Sequence, residues 1–303
     1  MKILITGGSG LLATNWALIA RKQHKVVLGL HNRKISLSNV VMQPLSLEPA
    51  GQLEADLSSI KPDLVVHTAG ATSVEWCEAN PEAARHANVT LTTNLARACA
   101  DLQIPLVHIS TDHLFTGDAA LVDETSPPKP QNVYGRTKAE AEQRTFEHHP
   151  SALIVRTNFF GWGTGYRQSF SDWIIFQSRA GLHLKLFEDV FFTPILIEML
   201  VLAVQDLVAN HSSGILHVVG DERISKYDFG LAVANQFGLD LGLIDACRIT
   251  DQPDLVQRPK DMSLSNAKAC GLLGRSLGSI STQLHALQVV NLKHVRSHFL
   301  LHK

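Results

Sequence analysis

Lys2-Ile3-Leu4-Ile5-Thr6-Gly7-Gly8-Ser9-Gly10-Leu11-Leu12-Ala13 opens the chain, and its reading decides the fold. An apolar run meets a glycine cluster, and residues with helical content follow to position 23. That is the order of a buried strand, a tight turn and a helix. Gly7 can take the φ values a tight turn needs. Gly10 lets backbone come close to a pyrophosphate, and Ala13, standing where a third glycine is usual, is small enough for helix–strand packing. The helix start offers free N–H groups and the positive end of a dipole. Gly7, Ser9, Gly10, Leu11 and Leu12 are therefore candidate contacts for a dinucleotide. Such a turn elsewhere could be purely structural; its place directly after the first strand points to a ligand.

The alternation continues outward from this turn. Strand-like runs cover residues 25–30, 63–67, 105–110 and 152–156, and helical stretches cover 53–60, 81–102 and 133–148. Pro81 stands where a helix start is expected. Near-continuous apolar strands separated by helices imply a parallel sheet covered on both faces, a Rossmann-like doubly wound α/β fold. Composition changes after Arg156, although residues 214–220 read as one more strand of the same sheet. The expected organisation is a dinucleotide-binding domain over 1–155, with sheet additions near 187–220. A smaller, discontinuous substrate-binding region occupies most of 156–303. A ligand crevice should open between them, at the carboxyl edge of the sheet.

The composition narrows the class of protein. The chain has 303 residues, 45% hydrophobic and 18% charged, which is ample for a buried core and excludes disorder as the main state. Lys plus Arg number 27 and Asp plus Glu 28, for a net charge of −1. That balance argues against a nucleic-acid partner and against a polybasic membrane-surface protein. The longest apolar run, 190–204, contains Pro194 and Glu198 and falls short of the roughly twenty residues of a membrane span, so it reads as a buried helix. The glycine cluster interrupts any signal-peptide core at the N-terminus, so a cytoplasmic location is expected. Cys77, Cys99, Cys247 and Cys270 form no CxxC pair and read as free thiols in a reducing compartment. The fifteen histidines give no HExxH, and no metal is expected.

Three further stretches carry chemistry. The second strand ends in Gly29-Leu30-His31-Asn32-Arg33-Lys34, with no Asp or Glu to hold a ribose 2′-hydroxyl. Arg33 can bind a 2′-phosphate bidentately, which favours NADP over NAD while leaving NAD compatible. Tyr134 precedes Lys138 by four residues in a helical stretch, so the two share a face. An ammonium beside a phenol favours the phenolate and lowers its pKa, so the tyrosine could exchange a proton near neutral pH. Thr111 lies at the end of an apolar strand, where a hydroxyl can hydrogen-bond a substrate carbonyl. Thr68-Ala69-Gly70-Ala71 is small enough to leave room for a flat cofactor, and Asn88 follows in the next helical stretch.

In this order the motifs resemble the extended short-chain dehydrogenase/reductases and, within them, the dTDP-4-dehydrorhamnose reductases. The resemblance rests on residues 6–13, 61–63, 68–70, Asn88, 110–115, 132–138 and Arg258-Pro259, and it runs to about residue 285. It implies a reductase in which Tyr134 protonates the developing alkoxide, Lys138 holds the nicotinamide ribose and tunes Tyr134, and Thr111 positions the ketone oxygen. Asn88 would support Lys138 through water. Ala69, Gly70 and Ala71, with Tyr134 and Lys138, would contact NADPH. The substrate would be a nucleotide-activated 4-keto-6-deoxysugar meeting Thr111, Asp112, His113, Asn158, Phe159 and Arg258. A homodimer is compatible with this resemblance.

The chain departs from that pattern in places. His113 replaces the usual Tyr of a Ser-Thr-Asp-Tyr run, Ser46-Leu47 replaces an Asp-Leu pair, and residues 156–160 replace a segment that often carries Trp. A 4,6-dehydratase would place Asp-Glu after the threonine, and Asp112-His113 argues against that reaction. An epimerase uses the same Tyr and Lys and stays open. So does a regulatory subunit, since Ile224-Ser225-Lys226-Tyr227-Asp228 also resembles the NADP-binding methionine adenosyltransferase β subunit. Residues 161–170 and 187–193 are expected to line the crevice. Trp162, Phe191 and Phe192 could stack on a base or pack in the core. Arg258 could meet a diphosphate or form a structural salt bridge. Residues 287–303 have no reading.

Overall fold

The computed structural model describes residues 1–290 and the backbone of Phe299–Leu300. The later part of the 287–303 extension otherwise lies outside the described residues. Seven strands form the central sheet: β1 (Lys2–Thr6), β2 (Lys25–Leu30), β3 (Val41–Pro44), β4 (Leu64–His67), β5 (Leu106–Ile109), β6 (Leu153–Arg156) and β7 (Gly214–His217). Their order is β7-β6-β5-β4-β1-β2-β3, and every neighbouring pair is parallel. The winding reverses between β1 and β4. Helices leave on opposite faces there, and a crevice opens at the carboxyl ends.

Successive strand residues point to opposite faces, which explains why these strands are apolar throughout. Ile3 and Ile5, with Leu28, Val66, Val107 and Val155, pack beneath the helices Leu11–Ala20 and Ile197–Ala209. Leu4, Val27, Val65 and Leu106 face the other way, onto Leu53, Leu57 and Leu95 of the helices Ala50–Ile60 and Leu91–Asp101. A third core gathers Phe160, Trp162, Ile174, Phe192 and Phe229 among the helices Phe170–Arg179, Lys226–Phe237 and Ile280–Val289. Trp162 and Phe192 are buried there, and the Trp162 indole N–H donates to the carbonyls of Leu287 and Val290. Both are core residues rather than stacking platforms.

Two expected elements differ. The single helix over 81–102 is broken into Pro81–Arg85, a π-helical turn His86–Thr90 and the helix Leu91–Asp101. The wider turn accommodates Asn88, whose side chain is pinned from two sides. The apolar run 190–204 is helical only from Ile197. Before it, Phe191–Phe192 pairs with Ile224–Ser225, and Ile195–Leu196 pairs with Phe159–Phe160, on either side of Pro194. Proline favours extended backbone in the residue before it and supplies no N–H to a helix. Among the described residues no helix is long and apolar enough to cross a membrane. The strand expected over 214–220 is present as β7 and closes the sheet beside β6.

Candidate active site

A cleft of about 370 Å³ opens at the carboxyl ends of β1, β4, β5 and β6. One wall is the glycine turn. Gly7 has φ +65°, and a Cβ on it would stand 2.8 Å from the Ala69 backbone, so turn and β4 loop touch. Gly8 is equally confined: a Cβ there would lie 2.8 Å from Leu28 Cβ. The helix Leu11–Ala20 begins at Gly10 with no side-chain cap and no acid in its first turn. Its first N–H groups therefore have no capping side chain, the condition that suits a phosphate at a helix N-terminus. Gly10, Leu11, Leu12, Ala69, Gly70 and Ala71 line the cleft. Gly7 and Ser9 shape the turn from behind it.

Arg33 sits in the exposed loop after β2, its guanidinium 4.1 Å from the Tyr166 ring centroid. The Tyr166 hydroxyl donates to the Ser9 carbonyl at 2.8 Å. Arg33 and the turn are thus joined through Tyr166, a residue the sequence did not single out.

The other wall is the helix Val133–His148. Asn132 caps it, accepting from Gly135 N at 2.9 Å and donating to the Gln257 carbonyl at 2.9 Å. The cap fixes the first turn, which carries Tyr134. Thr111, Tyr134 and Lys138 all line the cleft and are all buried. Burial pushes the Tyr134 phenol above its ordinary range, while a hydrogen bond with Thr111 pulls the other way. The expected lowering by Lys138 does not appear. The Lys138 ammonium instead donates to the Ile109 carbonyl at 2.7 Å and to His108 Nε2 at 3.3 Å. Burial lowers Lys138 to about 8, against the opposing pull of Glu142.

The Asn88 side chain is hydrogen-bonded to Ala71 and Thr137 rather than directly to Lys138. Its Oδ1 accepts from Ala71 N at 2.7 Å, and its Nδ2 donates to the Ala71 carbonyl at 3.0 Å and to Thr137 Oγ1 at 2.9 Å. It fastens the β4 loop to the tyrosine-bearing helix.

On the sugar side, Asp112, His113, Asn158 and Phe159 line the same cleft. Asp112 Oδ2 accepts from Asn158 Nδ2 at 2.5 Å, and Asp112 Oδ1 accepts from the Thr111 hydroxyl at 3.2 Å. The His113 ring stands edge-on to Tyr134 at 5.5 Å, and burial lowers its pKa although Asp112 opposes this. Arg258 is not brought into this cleft. It pairs with Glu75, the salt-bridge alternative, and lines a separate hollow with Gly117, Gln131 and Lys260.

Other residues near the site were missed by the sequence reading. His108 lies under Lys138. Glu142, one turn beyond Lys138, pairs with the buried Arg156 at 2.7 Å and accepts from Ser110 Oγ at 2.5 Å. Lys226 Nζ lies 3.3 Å from the Phe192 ring centroid, and burial lowers it to about 8. For His108 and Arg156 the available signal was a polar ring or a charge near the carboxyl end of an otherwise apolar strand; Glu142 and Lys226 lie on helices and gave no such signal. Among the described residues no cluster of three His, Cys, Asp or Glu is placed to hold a metal.

This strand order, with a glycine turn at β1 and Thr111, Tyr134 and Lys138 around one cleft, defines an extended short-chain dehydrogenase/reductase. Within that class the chain belongs to the family described as the RmlD substrate binding domain, whose model matches residues 1–288. A probable low-salt glycan biosynthesis reductase, Agl14 of Haloferax volcanii, is 29% identical over 95% of this chain and 97% of its own length. The methionine adenosyltransferase 2 subunit beta of Rattus norvegicus is 27% identical over 88% of this chain and 81% of its own. Among solved structures, a dTDP-4-dehydrorhamnose reductase from Clostridium acetobutylicum has a TM-score of 0.83 at 26% identity, covering 96% of this chain and 99% of that one. Another, from Bacillus anthracis in complex with NADP, has a TM-score of 0.82 at 22% identity with the same coverage.

Proposed function

We propose that the protein is an NADPH-dependent reductase of a nucleotide-activated 4-keto-6-deoxysugar. The observation that carries this reading is the convergence of Thr111, Tyr134 and Lys138 on a cleft whose opposite wall is an uncapped helix start behind a glycine turn. Bound NADPH supplies the hydride. The Leu11 and Leu12 N–H groups receive its pyrophosphate, and Ala69, Gly70 and Ala71 leave space beside it. Arg33, with no acid near, takes the 2′-phosphate; NAD would use the same cradle with lower affinity.

A phenol is protonated at neutral pH, burial of Tyr134 reinforces that state, and it is the form a reduction requires. Tyr134 gives its proton to the ketone oxygen as negative charge develops there, while the Thr111 hydroxyl, turned from Asp112, holds that oxygen. The Lys138 ammonium offsets the phenolate left behind and anchors the nicotinamide ribose. Asn88 keeps the two walls in register. The sugar side is built from both halves of the chain, Asp112 and His113 after β5 and Asn158 and Phe159 after β6. Arg258 would have to leave Glu75 to meet a diphosphate. The four free thiols suit a reducing cytoplasm; a homodimer is checked by light scattering.

The relative named as a methionine adenosyltransferase subunit keeps a second reading in view, a cofactor-binding partner protein. The assembled Thr111, Tyr134 and Lys138 favour turnover over that role, and an epimerase would share them. The deciding assay is NADPH oxidation with dTDP-4-dehydro-L-rhamnose. Tyr134→Phe is expected to lose about 100-fold or more in kcat while retaining NADPH binding. Full turnover in that variant would sink the proton-donor assignment. NADPH binding without oxidation in the native protein would move the search to another keto sugar or a partner protein.

A further inference from the structure

Lys138 rests on a histidine rather than a carboxylate. Its Nζ donates to His108 Nε2 at 3.3 Å and to the Ile109 carbonyl at 2.7 Å, and all of these groups are buried. Accepting from an ammonium requires the Nε2 lone pair, so the imidazole proton of His108 sits on Nδ1. That Nδ1 has no hydrogen-bond partner. The ring of His67 stacks on His108, with centroids 5.4 Å apart and planes at 28°, because β4 and β5 place the two residues opposite each other.

The tautomer of His67 follows from its neighbours. The Thr92 hydroxyl donates to the Asn88 carbonyl at 2.7 Å, so it accepts from His67 Nε2 at 2.9 Å. His67 Nδ1 then accepts from the Thr6 hydroxyl at 2.7 Å. Both imidazoles are neutral, and burial together with the Lys138 charge holds both below their ordinary range.

We infer that His108, backed by His67, is a positioning residue for Lys138: a neutral acceptor that fixes the ammonium without cancelling its charge. The inference rests on the reductase reading of the site. A carboxylate in the place of His108 would hold the ammonium more firmly, but it would also cancel the positive charge that offsets the phenolate once Tyr134 has given up its proton. Glu142, the carboxylate that pulls on Lys138, is committed to Arg156 and Ser110. Further along the same helix, the pairs Arg85–Glu140 and Arg136–Glu78 lie on its solvated side. Among the described residues no carboxylate is bonded to the Lys138 ammonium, so the residue keeps a positive charge on the cleft wall that Glu142 opposes only from a distance. The cost is an orphaned Nδ1–H, which an apolar residue at position 108 would avoid.

Three variants separate this from simple packing. His108→Gln retains a neutral acceptor, His108→Leu removes it, and His108→Glu replaces it with an anion. The direct readout is the titration of the Lys138 side chain by 13Cε NMR without substrate, its resonance assigned by its loss in Lys138→Met. The second is the alkaline limb of the pH profile for NADPH oxidation. In His108→Glu the Lys138 titration and the alkaline limb are expected to move up together by about one pH unit or more, with a plateau rate about tenfold lower. His108→Leu should lower the plateau by a similar factor and His108→Gln should restore most of it. An unchanged Lys138 titration in the Leu and Glu variants would overturn the inference and leave His108 a packing residue. Should the Leu variant not fold, the Gln and Glu pair decides. The NMR arm needs no turnover, so a parent protein with no activity counts against the reductase reading alone.

Discussion

At the scale of single residues, the tyrosine–lysine pair was legible because it depends only on helical spacing, and residues 133–148 form one uninterrupted helix. The phenol's environment was not legible. Whether a neighbouring ammonium or burial dominates depends on where the ammonium points, and the sheet takes it toward Ile109 and His108. His108 itself stayed hidden because its meaning lies across two strands and a helix. Arg33 was legible as a missing acid, but its stacking on Tyr166 was not. Arg33→Ser is expected to raise the KM for NADPH about tenfold or more while leaving that for NADH nearly unchanged, as loss of a charge-assisted phosphate contact requires. Equal effects on both cofactors would place Arg33 outside the 2′-phosphate site.

At the scale of elements, the first strand, turn and helix came out as read because the pattern is local. The stretch 81–102 did not. Its two ends are rich in helix formers, and the weaker His86-Ala87-Asn88-Val89-Thr90 between them does not by itself specify a π-helical turn. The cause is tertiary: Asn88 holds Ala71 and Thr137, and a wider turn accommodates that reach. Asn132 shows the same division. A cap could be read from its place before a helix, but its second bond, to the carbonyl of Gln257, could not. Asn132→Ala should therefore cost more than a surface cap, about 2 kcal/mol in urea unfolding, and should lower kcat by loosening Tyr134. A loss of stability with kcat intact would show that the cap does not govern the tyrosine.

For the molecule as a whole, buried imidazoles set the acid limit of stability. His67 and His217 are held at about 3, chiefly by burial, whereas an unfolded histidine titrates near 6.5. Between those values the unfolded chain binds more protons than the folded one. Stability is therefore complete above about pH 6.5 and declines as pH falls toward 3. Each such histidine should cost about 2 kcal/mol between pH 7 and pH 5, visible as a falling urea midpoint. His217→Gln should flatten that decline; an unchanged slope would move the proton uptake to other groups. The overall α/β architecture was readable from apolar periodicity, while these pairings emerge only when strands distant in sequence meet.

The position of β7 has a consequence for biosynthesis. β6 ends at Arg156, yet its outer neighbour begins only at Gly214. During translation the sheet carries an open edge at β6 until residue 217 has left the ribosome, so a fragment ending near residue 155 would emerge with unpaired backbone groups and a bare apolar face. Such a fragment invites association with other nascent chains, and the first half of the protein depends on the second to be made safely.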